Sequence, residues 1–289
     1  MTESALGSFN DFVSSFFLWR DAIIASSVVA LLCGWLGIYV VLKRIVFVSA
    51  ALPQISGLGI AFAFFIGSFV GAHGHSEYFF FNPLFMAVCF GCGAALLYST
   101  ATDHRKLSHE TLIGITYVLG SAFVLQILSS PRIVQEAHEI GDILFGNAVV
   151  VDPQILYAII LATVLLLTIH FLFFKEFVSV SFDPEMAATL GMKVHKINWA
   201  LHLTIAIAIS TATRAIGALP VFGFMVIPPA AALMLTKGLK TSILLSMVIG
   251  VISAFIGYYL SFVFSLPTGA TMVVVMGLWL IPGVLKIQK

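Results

Sequence analysis

Charge is what this sequence has least of: Asp, Glu, Lys and Arg make up 9% of its 289 residues, against 60% hydrophobic residues. A soluble domain carries about 25% charged residues, so a surface kept in solution by water alone is excluded. Cysteine is also scarce. The three present, Cys33, Cys89 and Cys92, all lie inside apolar runs, which gives no disulfide framework. Residues 1–11 include Glu3 and Asp11 but no Lys or Arg, so they lack the basic start of a cleavable signal peptide, and the first apolar run is expected to stay in the mature chain. No G-x-x-x-x-G-K-[ST] phosphate loop occurs, so any ATP-driven role draws its ATPase from another chain. Neither H-E-x-x-H nor G-x-S-x-G occurs either, and His138-Glu139 has no second histidine at the right distance; the chain is read as a non-enzyme. A formal net charge of +1 argues against a nucleic-acid partner.

What is present is a series of apolar runs of about 20 residues, the length that carries a helix across roughly 30 Å of hydrocarbon. Backbone amides in lipid must be satisfied internally, so these runs are expected to be helices. The fold expected is all-α, a polytopic transmembrane bundle of eight or nine spans near 18–42, 48–72, 79–100, 110–130, 153–174, 197–217, 219–236, 241–264 and 268–286. Pro53 and Gly57 interrupt the second, and the pair around Gly217 to Pro220 also reads as a short re-entrant hairpin. Pro228-Pro229 is expected to kink the seventh, because neither donates a backbone hydrogen bond. No repeat or soluble domain is visible, so residues 1–289 form one membrane domain.

Basic residues are retained on the cytoplasmic side of membranes. Alternating spans place Lys43, Arg44, Arg105, Lys106, Lys175, Lys193, Lys196, Lys237, Lys240, Lys286 and Lys289 on one side and only Arg20, Arg132 and Arg214 on the other. The N-terminus is therefore expected outside and the C-terminus in the cytoplasm. Within the inward segment of about 175–196, Phe182 to Gly191 reads as a compact helix: Asp183 can cap it, Pro184 suits its first position, Glu185 favours its dipole and Gly191 can close it. Such a helix is either a surface that grips a cytoplasmic partner or an ordinary loop helix.

The phrase Phe182-Asp183-Pro184-Glu185-x-Ala187-x-x-x-Gly191 resembles the coupling segment of the metal-type ABC importer permeases. Gly37 to Arg44, Ile216 to Pro220 running on to Ile227-Pro228-Pro229-Ala230-Ala231-Ala232, and Leu266-Pro267-Thr268-Gly269-Ala270 resemble the same family, in order, from about Gly34 to Pro282. The resemblance implies a permease importing zinc, manganese or iron, or a chelate of one, across the cell membrane. It implies a homodimer, two cytoplasmic ATPase subunits that bind the ATP, no cofactor on this chain, an extracytoplasmic solute-binding protein, and Asp183, Pro184, Glu185, Ala187 and Gly191 as the ATPase-coupling residues. The alternative is a secondary transporter driven by protons or sodium. That would need paired carboxylates deep in the spans, whereas the 13 Asp and Glu cluster in loops or at span ends.

One segment departs from the family. After the two basic residues, members read roughly F-x-G-D-A-L-x-H, an Asp and a His four apart, which a helix presents on one face to a dication. Here Ala50 and Gln54 take those places, and a Gln amide oxygen is a far poorer zinc ligand than imidazole. Two readings follow. In one, the ion site has moved to the outward Glu136, His138, Glu139 and Asp142, with His138 and Asp142 as metal candidates at i, i+4; the same residues also read as a solvated loop. In the other, the path holds its cargo weakly and Gln54 is a polar relay. His73, His75 and Glu77 read as a plain outward loop, the small residues around Cys89 and Cys92 as a close helix contact, and His170 and His202 as hydrogen-bonding to neighbouring helices. Arg214 is expected to snorkel.

Overall fold

The computed structural model describes residues 12, 14, 16–70, 82–100, 108–131 and 151–287. Among them every regular element is a helix: α1 Phe16–Leu42, α2 Val46–Val70, α3 Pro83–Thr100, α4 His109–Leu128, α5 Pro153–Leu172, α6 Phe174–Phe182, α7 Pro184–Thr189, α8 Val194–Ile216, α9 Ala218–Leu235, α10 Leu239–Phe264, α11 Thr268–Leu278 and α12 Leu280–Ile287. Nine stretches among the described residues are long and apolar enough to cross a bilayer. They fall where the nine apolar runs lie, so the polytopic helical bundle is what the chain forms.

Of the boundaries that differ from the run-length expectation, three have a local reason. The sixth span begins at Val194 rather than 197, because Lys196 occupies the exposed face of a first turn whose Ile197 is half-buried. The ninth, expected unbroken over 268–286, is two helices parted at Trp279; Pro282 has no N–H to give the Leu278 carbonyl. The fifth ends at Leu172, and after Phe173 the chain continues as α6, which buries Phe177, Val180 and Ser181 on one side. Most of the 175–196 segment is thus helix, where a loop with one short helix was expected.

The doubtful pair around Gly217 is two separate helices of 23 and 18 residues joined by that one residue. Gly217 has φ +94° and ψ 163°, a conformation only glycine adopts without strain. An 18-residue helix rises about 27 Å, close to the apolar thickness of a bilayer.

The interior is built around α1, α8 and α9, which pack on one another and on α2, α5 and α10. Contacts between helices are made through small residues and hydroxyls, as expected where lipid is as apolar as the core. Ser246 Oγ on α10 donates to the Gly34 carbonyl on α1 at 2.9 Å. α9 runs unbroken through Pro228 and Pro229, whose rings leave the Phe224 and Met225 carbonyls without their usual donors. The Met225 carbonyl is covered by Gly37, where a Cβ would come within 2.1 Å of the oxygen and 2.6 Å of Pro229 Cγ. The Lys43 side chain at the end of α1 bonds to the Asn198 side-chain oxygen on α8, and Lys286 Nζ donates to the Leu235 carbonyl at the end of α9 at 2.7 Å. These bonds gather the basic ends of α1, α8, α9 and α12.

Candidate transport cavity and docking segment

Three helices line a half-open cavity of about 440 Å³: α2 through Ala50, Pro53 and Gln54, α4 through Tyr117, Ser121, Val124 and Leu125, and the start of α9 through Ala218, Leu219 and Phe222. The spacings 50, 53, 54 and 117, 121, 124, 125 each follow one helix face. Both positions at which the sequence departs from the metal-importer pattern therefore line one space.

None of these ten lining residues is charged. The polar groups are the Gln54 amide and the Tyr117 and Ser121 hydroxyls. Ser121 Oγ donates its hydrogen to the Tyr117 carbonyl at 2.9 Å, which leaves its oxygen free to accept. Tyr117 and Ser121 carried no signal of their own in the sequence. Only the face they share with Val124 and Leu125, set opposite Gln54, marks them. Among the described residues no group of three or more His, Cys, Asp or Glu is placed to hold a metal ion. Glu136, His138, Glu139 and Asp142 lie outside the described residues, as do His73, His75 and Glu77.

The second feature is α7. Asp183, with extended backbone, caps it by accepting from Met186 N–H at 2.9 Å, and Pro184 and Glu185 fill the first two helical positions. Gly191, at φ +80°, closes the other end. Its N–H bonds to the Ala188 carbonyl at 3.0 Å and that of Met192 to the Ala187 carbonyl at 3.1 Å. This pair of bonds makes a Schellman closure, which requires a left-handed residue where Gly191 stands. Ala187 is buried, while Phe182, Met186 and Leu190 are exposed. Met186 on α7 and Leu190 at its C-cap, four apart, lie on neighbouring turns, and Phe182 adds a third exposed apolar side chain from the end of α6.

Other residues fall as expected in part. His170 Nε2 lies 2.9 Å from Thr204 Oγ1 on α8, a bond to a neighbouring helix. His202 Nδ1 is 2.9 Å from the Asn198 carbonyl of its own helix, because Asn198 sits one turn back on the same face. Arg214 is half-buried in the last turn of α8, where its charge complements the helix dipole. Gly91, between Cys89 and Cys92, faces Ser56 and Ser210, and a Cβ there would come within 2.3 Å of Ser210 Oγ. The three cysteines are free thiols.

The sequence matches the ABC 3 transport family across residues 15–286. The chain belongs to that family. Its members are permeases of metal-type ABC importers, multi-pass proteins of the cell membrane, and a transport permease is not itself an enzyme. This ABC 3 permease is 28% identical over 256 residues to the manganese transport system membrane protein MntC of Listeria innocua, covering 89% of this chain and 86% of that one. It is 25% identical over 258 residues to the manganese import system permease protein ScaB of Streptococcus gordonii, covering 89% and 87%. It is 31% identical over 278 residues to an uncharacterised membrane protein of Cyanophora paradoxa, covering 94% and 87%. The structure of PsaBC from Streptococcus pneumoniae in complex with Fab superposes with a TM-score of 0.81 over 96% of this chain and 95% of that one, at 22% identity. The likeness establishes the fold.

Proposed function

We propose that this ABC 3 permease imports manganese(II), passing it through the cavity between α2, α4 and α9 as a weakly held ion that keeps much of its water. The observation that carries this is the lining itself: Gln54, Tyr117 and Ser121 offer neutral oxygens among apolar side chains. Oxygen donors suit manganese, whereas zinc and copper favour nitrogen and sulfur. A path must also bind weakly enough to release its cargo. The manganese systems among its relatives support the choice of ion. In this reading the chain works as a homodimer, receives its cargo from an extracytoplasmic binding protein, and has its N-terminus outside and its C-terminus in the cytoplasm. Separate ATPase subunits drive it by docking on α7 and the exposed Phe182, Met186 and Leu190 around it.

The test is uptake of radioactive manganese by cells that lack their own importer and express this chain with its ATPase and binding protein. Uptake should depend on ATP hydrolysis and exceed that of zinc. Gln54→Leu should lower it about tenfold, the effect of one lost polar contact to the cargo. Zinc uptake exceeding manganese uptake, or Gln54→Leu transporting normally, would overturn the reading.

A further inference from the structure

Where α5 meets α6 the chain buries an imidazole that passage of the ion does not use. His170 is fully buried. The Thr204 hydroxyl beside its Nε2 gives its only hydrogen to the Leu201 carbonyl at 2.9 Å, so it accepts from Nε2–H and leaves His170 Nδ1 with a bare lone pair. Nδ1 is buried without a hydrogen-bond partner, and so is the hydroxyl of Tyr39 on α1. The two rings are 5.4 Å apart. Both touch Phe177 of α6: the imidazole stacks on it at 4.4 Å and 22°, and Tyr39 meets it edge-on at 6.3 Å. One turn earlier on α1, Trp35 packs on Phe174 of α6 at 6.2 Å.

A buried donor and a buried acceptor left unmatched in one cluster are costly, and a pair apart in one arrangement and joined in another is the kind of two-position element that can carry coupling. We propose that Tyr39 and His170 form such a joint. A Tyr39 O–H to His170 Nδ1 hydrogen bond, open in this arrangement, closes when α6 and α7 shift against α1. The joint rests on the reading of α7 as the ATPase dock. Its output reaches the cavity by two routes. Thr204 shares α8 with Ser210, whose hydroxyl is 2.8 Å from that of Ser56 on α2, the helix that carries Gln54. Tyr39 lies two residues from Gly37, which is pressed against α9, the third wall.

The test uses the complete transporter in proteoliposomes, with ATP hydrolysis and Mn²⁺ flux measured together. Tyr39→Phe removes a hydroxyl whose hydrogen has no acceptor in this arrangement, so thermal unfolding should be unchanged or raised, while Mn²⁺ moved per ATP hydrolysed falls about tenfold, the effect of one hydrogen bond lost from one of two states. Thr204→Val should uncouple in the same way with the ATPase still bound, and Thr204→Ser should restore coupling. A normal flux ratio in Tyr39→Phe would overturn the joint, as would a lowered melting temperature in that variant or a Thr204→Ser protein as poor as Thr204→Val. If the wild-type complex itself fails to couple hydrolysis to Mn²⁺ flux, the importer reading falls and the joint with it. That failure shows in the wild type rather than in the variants.

Discussion

Helices α5 and α8 invert the rule that holds in water. α5 has the highest mean hydropathy of the nine candidate spans, 2.5, yet only 28% of it is buried; α8 has the lowest, 1.3, and is 72% buried. The solvent explains the inversion. Lipid accepts the exposed Tyr157, Leu161 and Val164 of α5 at no cost, while the hydroxyls and imidazole of α8 must find partners inside the bundle. Ser210, Thr204 and His202 meet that demand with bonds to Ser56, His170 and the Asn198 carbonyl. Hydropathy therefore locates the spans of this chain but does not rank them by depth: α1, at 2.2, is as buried as α8, and α3, at 1.6, is as exposed as α5.

The largest expected effect comes from a charge on the outer helix. Leu161→Arg, at an exposed position near the middle of α5, should cost about 3 kcal/mol of membrane insertion and lower the folded protein recovered from membranes, read by fluorescence-detected size exclusion. Next comes Ser210→Leu, which raises the hydropathy of α8 yet forces bulk against Ser56 and Gly91. Overpacking of this kind costs about 1–3 kcal/mol, and the melting temperature in detergent should fall. A more apolar α8 that proved more stable would break the inversion.

How much of this was legible in the sequence differs between the two features that matter. The spans follow from run length because lipid imposes one length on every helix, and α7 follows from Asp183, Pro184, Glu185 and Gly191 because capping is decided within a few residues. The helical state of α6 was missed: its buried Phe177 and Val180 stand among Lys175, Glu176, Ser179 and Ser181, which read as loop until the face they turn to α1 is known. The cavity was the least legible. Ala50 and Gln54 were picked out only by a departure from a family pattern, and Tyr117, Ser121 and Phe222 join them through packing between helices far apart in sequence.

A smaller effect is expected where local geometry alone decides. Gly191→Ala places a side chain at φ +80°, a left-handed conformation that costs an L-residue about 1–2 kcal/mol. The bundle should keep its melting temperature while the closure of α7 loosens and ATPase binding weakens, measured by co-purification. Retained affinity would show that the exposed Phe182, Met186 and Leu190 dock without a fixed α7.

The smallest effect sharpens the comparison most. Leu161→Ala removes most of an exposed side chain from α5, and at a position with lipid on its outer side the loss should stay within about 0.5 kcal/mol. Transport and melting temperature should match the wild type. A core leucine cut to alanine costs about 2–5 kcal/mol, so a drop of that size would mean that Leu161 is covered by protein in the membrane. The exposed face of α5 would then belong to an interface with a second subunit, and the burial gap between α5 and α8 would be a property of the single chain rather than of the assembled transporter.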